Sequence, residues 1–229
     1  MTWQAGVNVS ARIVGAYAAT VSDGFEVVRA GYDRIGPRYR DRSQGNAVRV
    51  RWVQRLLHEL TPDCLVVDLG CGPGEPATRM LAERHRVLGV DGSLVQLRLA
   101  QAAVPSASFV QADMTRLTLR AGSVDAVASF YALGHVPSDR HAALLRAIAS
   151  WLRPGGLLLT SAPLTSGDGT ETDWLGVPMF FGGIGAEATR RAVSAAGLDI
   201  ETCEVVGEDE GAGKAVSFLW LVARKPADP

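Results

Sequence analysis

The chain has 229 residues, 47% of them hydrophobic, with 23 basic and 24 acidic side chains and a net charge of −1. That length suits one domain with a decorated edge and a core that needs no disulfide staples, and the balanced charge leaves no global field to hold nucleic acid or an anionic membrane. Three cysteines, Cys64, Cys71 and Cys203, show no metal-ligand spacing, and the longest apolar runs, such as 156–160, fall far short of the roughly 20 residues of a membrane span, so a reducing, cytoplasmic setting without metal is expected.

About 60 residues precede the first strand, with polar breaks at Ser22-Asp23-Gly24 and 42–46 and a helix predicted over 47–59. From there short β-branched apolar runs alternate with helical patterns, the signature of an α/β fold built on a mostly parallel sheet. Strands are predicted at 64–69, 86–90, 108–111, 125–130 and 157–161, with helices over 77–84, 94–102 and 141–152. Arg153-Pro154-Gly155-Gly156 reads as a helix stop, 163–185 as a loop, and 187–196 as a helix ended by Gly197. The runs 199–206 and 216–223 could pair as a closing hairpin, with Glu208-Asp209-Glu210 as its solvated tip or, alternatively, as a hold on a cationic acceptor.

The chemistry concentrates at Val66-Val67-Asp68-Leu69-Gly70-Cys71-Gly72-Pro73-Gly74, a buried strand entering a loop with glycine at alternate positions. Glycines there let a ligand touch backbone and let the turn visit positive φ. Asp91 ends the second strand 19 positions after Gly72, where a carboxylate accepts from both hydroxyls of a ribose; Asp91, Gly92 or Ser93 could also cap the next helix. Glu75 stands where a dinucleotide loop wants glycine or alanine, and no lysine follows as a nucleotide-triphosphate loop requires. Lys214 and Lys225 are the only lysines, and neither has a tyrosine four residues before it, which argues against a short-chain dehydrogenase. Asp68 and Glu75 flank the loop with no cation among residues 68–77, an environment suited to a positively charged cofactor.

These residues resemble the class I S-adenosylmethionine-dependent methyltransferases, small-molecule branch. Five pieces stand in that family's order: 68–74, Asp91, Gln111-Ala112-Asp113-Met114, Ser123-Val124-Asp125-Ala126-Val127 and Leu152-Arg153-Pro154-Gly155-Gly156; Tyr32-Asp33, Tyr39 and 218–223 fit the small-molecule branch. The resemblance implies a Rossmann-like, doubly wound sheet of seven mostly parallel strands, the last antiparallel, with helices on both faces. It implies one methyltransferase domain, 1–229, with an N-terminal helical cover (1–60), a cofactor-binding core (61–162), a substrate lid insert (163–185) and a C-terminal helix and hairpin (186–229).

The implied cofactor is S-adenosylmethionine, leaving as S-adenosylhomocysteine, with Tyr32, Asp68, Gly70, Cys71, Gly72, Asp91, Gly92, Ala112, Asp113, Met114 and Ser129 around it. Gly70 and Gly72 would lie against the methionine part, Asp91 at the ribose, and Asp113 with Met114 at the adenine. Gly92 departs from the apolar residue many relatives place there, so Leu94 or Met114 is expected to pack on the base instead. Catalytic candidates are His135, as a base or as a residue ordering its loop, and Tyr131. The apolar, glycine-rich 173–183 reads as a mobile lid or a static loop, with Trp174, Met179, Phe180 and Tyr17 against the acceptor. The acceptor is expected to be a small molecule, without nucleic acid or membrane, and a homodimer stays open. Other chemistry of the same cofactor, cyclisation or aminocarboxypropyl transfer, and a non-catalytic binding module are the alternatives.

Overall fold

A computed structural model describes residues 24–43, 45–209 and 215–227. Tyr17 and most of the predicted N-terminal cover lie outside them. The described chain opens with three helices, α1 (Gly24–Ile35), α2 (Pro37–Ser43) and α3 (Ala47–Glu59). Asn46 caps α3 by accepting from the Arg49 N–H at 2.7 Å.

The α/β core follows as β1 (Leu65–Leu69), α4 (Ala77–Ala82), β2 (Arg86–Asp91), α5 (Leu94–Ala103), β3 (Ser108–Gln111), β4 (Val124–Ser129), α6 (His141–Trp151) and β5 (Leu152–Pro163). After a hairpin, β6 (Ser166–Trp174) and β7 (Val177–Ile184), the chain closes with α7 (Ala186–Ala195), β8 (Asp199–Asp209) and β9 (Ala215–Arg224).

Seven strands form one sheet in the order β3-β2-β1-β4-β5-β9-β8, and β9 runs antiparallel to both its neighbours. The expected Rossmann-like sheet is therefore present. Apolar side chains alternate between its faces as strand geometry requires. Val66, Leu157, Leu159, Trp220 and Val222 meet α3 and α4, whereas Val67, Leu69, Leu158 and Leu221 meet α6 and α7. β1 and β4 are adjacent, with the remaining parallel strands wound outward from them in opposite directions. Their carboxyl ends thus open a crevice, the usual ligand position in such sheets.

Trp220 is fully buried and stacks on Trp52 of α3, ring centroids 5.3 Å apart at 8°. Trp220→Ala should lower the unfolding free energy by about 3–5 kcal/mol, measured as a shift of the denaturant midpoint. A loss below about 1 kcal/mol would mean that the α3 face contributes little to the core.

Two expectations change. Residues 163–185, read as a loop, hold the two-stranded hairpin β6–β7, turning at Leu175 (φ 53°) and Gly176 (φ 84°). Two successive positive φ values match the turn type that suits the twist of a two-residue hairpin. β6 was hidden because Ser-Gly-Asp-Gly-Thr-Glu-Thr-Asp has no apolar alternation; its partner β7 supplies the buried face. The Arg153-Pro154-Gly155-Gly156 stop lies inside β5, whose pairing with β4 jumps from Val124↔Leu152 to Ala126↔Leu157. An irregularity in the ladder, with Gly155 at φ 76°, absorbs those residues. Among the described residues no helix is long and apolar enough to cross a membrane.

Candidate active site

The loop leaving β1 turns at Gly70 (φ 73°) and Gly72 (φ 54°). A Cβ on Gly70 would stand 2.3 Å from the Ala132 Cβ, so no side chain fits there. The N–H groups of Gly70 and Cys71 donate to the Val90 carbonyl at 2.7 and 3.1 Å, tying the loop to the end of β2. Asp91, which closes β2, accepts from the Gly72 N–H at 2.9 Å through Oδ2 and from the Ser93 N–H at 2.8 Å through Oδ1. A carboxylate offers about four acceptor positions, so two backbone donors leave room for the two hydroxyls of a ribose. Removal from water pushes the Asp91 carboxyl up to about 6, against the opposing pull of its N–H donors.

α1 is fastened over this edge. Asp33 Oδ1 accepts from the Ser93 hydroxyl at 2.6 Å and the Val95 N–H at 3.2 Å, and Gln96 Nε2 donates to the Tyr32 and Gly36 carbonyls at 3.2 and 3.0 Å. The start of α5 is thereby bound to the end of α1. A Cβ on Gly92 would lie 2.8 Å from the Phe25 ring. Phe25 therefore occupies the place left empty by the small residue at 92, a substitution between distant segments that local sequence does not reveal.

Between these elements lies a cavity of about 310 Å³ at the carboxyl edge of the sheet. Eight of the expected cofactor residues line it: Tyr32, Gly70, Gly72, Asp91, Gly92, Ala112, Asp113 and Met114. His135 and Tyr131 line it too. Asp113 uses Oδ1 to accept from the Thr115 N–H and hydroxyl, both at 2.8 Å, which orders the turn after β3.

Asp68, Cys71 and Ser129 stand behind the wall. Asp68 is buried, accepts from the Thr78 hydroxyl at 2.6 Å and is pushed up to about 6 by that burial. Ser129 donates to the Leu69 carbonyl at 3.1 Å, and Cys71 is a buried thiol whose pKa burial raises. All three brace the glycine loop. Trp174, Met179 and Phe180 also lie outside the cavity lining: Met179 fills the space left by Gly31 of α1, and Trp174 meets Tyr32 edge to face at 5.8 Å. Leu94 is exposed and does not line the cavity.

At the other end His135 joins three segments. Its Nδ1 lies 2.9 Å from the Phe180 carbonyl, which can only accept, so Nδ1 carries the proton; Nε2 then accepts from the Tyr32 hydroxyl at 2.8 Å. Removal from water lowers the His135 pKa to about 4, partly offset by the bond to Phe180, and raises that of Tyr32 well above the ordinary phenol value. The imidazole is neutral at pH 7. Tyr131, at φ 63°, donates its hydroxyl to Glu208 at 2.6 and 2.7 Å, and Asn46 Nδ2 donates to both groups. Glu208 is thus tied down where a solvated tip was expected, because β8 continues to Asp209 and brings the carboxylate over Tyr131.

Sequence reasoning passed over Arg49. It sits on the apolar stripe of α3 with Trp52, Val53 and Leu56, and a cation at that spacing is the signal that was available. Its guanidinium is buried behind Tyr131, 4.7 Å from the ring centre, and its Nε has no hydrogen-bond partner among the described residues. Arg29, Arg116 and Arg140 line the cavity itself. Among the described residues no group of three or more His, Cys, Asp or Glu is placed to hold a metal ion.

The model of a methyltransferase domain matches residues 66–156. A trans-aconitate 2-methyltransferase of Azoarcus sp. (strain BH72) is 40% identical over 120 residues, 50% of this chain and 46% of that protein. A ubiquinone biosynthesis O-methyltransferase of Albidiferax ferrireducens is 31% identical over 129 residues, 54% of this chain and 50% of that one. The chain spans about half the length of the curated relatives it matches. Among solved structures, the 1,6-didemethyltoxoflavin-N1-methyltransferase of Burkholderia thailandensis, with its namesake ligand and S-adenosylhomocysteine bound, superposes with a TM-score of 0.68 at 21% identity, covering 92% of this chain and 93% of that one. This last likeness speaks to the fold alone. A methyltransferase domain model over residues 66–156, the glycine loop after β1 with Asp91 at the end of β2, and that sheet order all agree with the class I S-adenosylmethionine-dependent methyltransferases that the sequence resembles.

Proposed function

We propose that the protein methylates a small-molecule carboxylate, using S-adenosylmethionine held along the cavity. The observation that carries the cofactor part is the Asp91 carboxylate, fixed by two backbone N–H groups beside a glycine loop in which Gly70 has no room for a side chain. In this reading Asp91 accepts from the ribose, Asp113 from the adenine amine, and Phe25 with Met114 packs on the base. Arg49, with its buried unpartnered Nε, supplies the cation for the carboxylate of the methionine end. When bound, S-adenosylmethionine supplies a sulfonium-activated methyl group.

The acceptor class rests on what surrounds the far end. His135 is neutral, a weak proton acceptor, and its Nε2 is engaged by Tyr32, so proton removal is poorly served there. A carboxylate is already ionised at neutral pH and needs no base. Arg29, Arg116 and Arg140 line the cavity beside Asp91, Asp113 and Asp139, so it carries guanidinium groups that could turn to a carboxylate, and the name of the Azoarcus relative specifies a polycarboxylate. His135 and Tyr131 then act by order: His135 directs the Tyr32 hydroxyl, and Tyr131 is held by Glu208 and Asn46. Tyr32, Tyr39, Trp174 and Phe181 enclose this end with rings and exclude water, where positioning supplies most of the rate. The insert 163–185 serves as the cover. The free cysteines suit a cytoplasmic setting.

The test is incubation with S-adenosylmethionine and a panel of di- and tricarboxylates, trans-aconitate among them, beside phenols and amines. A methyl ester formed together with S-adenosylhomocysteine is expected for a carboxylate alone. Methylation of only a phenol or amine would overturn the acceptor class, and methylthioadenosine without S-adenosylhomocysteine would shift the reading to aminocarboxypropyl transfer.

A further inference from the structure

The β6–β7 hairpin meets the turn after β4 at three points. Asp168 on β6 accepts from the Ser138 N–H, Oδ1 at 2.9 Å and Oδ2 at 3.2 Å, and from the Ser138 hydroxyl at 3.1 Å. Gly182, which faces Asp168 across the hairpin, lies so close to Val136 that a Cβ would stand 2.3 Å from its carbonyl oxygen. Phe180, two residues earlier, presents its carbonyl to His135 Nδ1. The hairpin also brings two of the rings around that imidazole, Phe181 at 5.1 Å and Trp174 at 6.2 Å.

We propose that Asp168 is a positioning residue, which seats the hairpin on this turn and thereby fixes the tautomer of His135, and through it the direction of the Tyr32 hydroxyl. A neutral imidazole carries its proton on either nitrogen, and the hydrogen bond made by one nitrogen decides what the other does. With the Phe180 carbonyl in place, the proton stays on Nδ1 and Nε2 accepts from Tyr32. The Tyr32 oxygen is then left with lone pairs for whatever lies beside it in the cavity. If the hairpin lifts, the proton is free to move to Nε2, and two donors would face each other across the 2.8 Å between Nε2 and the Tyr32 oxygen. The Tyr32 hydroxyl would have to turn away. Asp168 touches neither His135 nor Tyr32 and acts only through the seat. The inference rests on the reading above, that the Tyr32–His135 end is where the acceptor meets the methyl group.

The experiment is nitrogen–proton correlation spectroscopy of the histidine rings, without ligand, on the wild type, Asp168→Ala and Asp168→Asn, with signals assigned through His135→Gln. The wild type should show His135 as the pure Nδ1-protonated form. Asp168→Ala should lose that single form and give a mixture, and Asp168→Asn, whose amide oxygen still accepts from the Ser138 N–H, should restore most of it. If Asp168→Ala does not fold, Ser138→Ala, which removes one of the bonds, should shift the ratio in the same direction. An unaltered tautomer in whichever of these two variants folds would overturn the proposal. Calorimetric titration of the wild type with S-adenosylhomocysteine tests the cofactor reading separately. Asp168→Ala should keep most of the wild-type affinity, because Asp91 is held by the N–H groups of Gly72 and Ser93, neither of which belongs to the hairpin.

Discussion

Asp91→Ala should lose S-adenosylhomocysteine affinity by about two to four orders of magnitude in calorimetric titration, while the protein stays folded. Hydrogen bonds to a charged group contribute about 1.5–3 kcal/mol each, two ribose hydroxyls are at stake, and about 1.4 kcal/mol is tenfold. The Gly72 N–H would also lose its acceptor, loosening the loop proposed to meet the methionine part. Affinity should follow pH in a fixed direction. The ligand's hydroxyl donors select the ionised carboxylate, and the free protein's Asp91 holds its proton up to about 6. Binding therefore releases a proton in acid, and affinity should rise with pH to about 6, then level off above about 7. In the free protein the same raised value opposes stability. The cost of burying the charge is present in full above about 6 and is relieved as pH falls through that value toward the ordinary carboxylate range. Affinity independent of pH between 5 and 8, or wild-type binding by the variant, would remove Asp91 from the ribose.

The second large effect is expected at Gly182, which faces Asp168 across the hairpin. A Cβ there would meet the Val136 carbonyl oxygen at 2.3 Å, a backbone atom that cannot swing aside, so Gly182→Ala must lift β7 from the turn. Overpacking of this kind costs about 1–3 kcal/mol. The larger consequence is for turnover, since a displacement of about 1 Å at a positioned group can cost about a hundredfold. Turnover should fall one to two orders of magnitude, with S-adenosylhomocysteine affinity unchanged, when kcat, KM and binding are measured together. Gly169→Ala, on β6 of the same hairpin with nothing within 4 Å of its Cβ position, is the control that should leave all three alone. Equal kinetics in both variants would show that the hairpin's seat does not matter for the reaction.

How far each part could be read in advance follows from the range of the forces that place it. The glycine loop, Asp91 and the Asp113-Met114 turn were legible because strand, turn and ligand-facing side chain lie within a few residues of one another, and local backbone geometry requires those residue types. The buried parallel strands were legible for a related reason: burial on both faces writes near-continuous apolar runs. The hairpin was not, because β6 is polar from Ser166 to Asp173 and becomes a strand only through its pairing with β7. The distinction between wall and brace was equally out of reach. Asp68, Cys71 and Ser129 sit in or beside the same motifs as the cavity residues, yet strand alternation and the loop's turns direct them inward.

Short contiguous segments carry the α/β class, the order of the core elements and the residue types at the sheet's carboxyl edge. Only the tertiary structure decided that Phe25 fills the space at Gly92, that Arg49 lies buried behind Tyr131, that Glu208 reaches across to Tyr131 and Asn46, and that a carbonyl 45 residues downstream sets the tautomer of His135. Each of these is a contact between segments brought together by the burial of other residues, so its energy appears only once the sheet and its covers have closed.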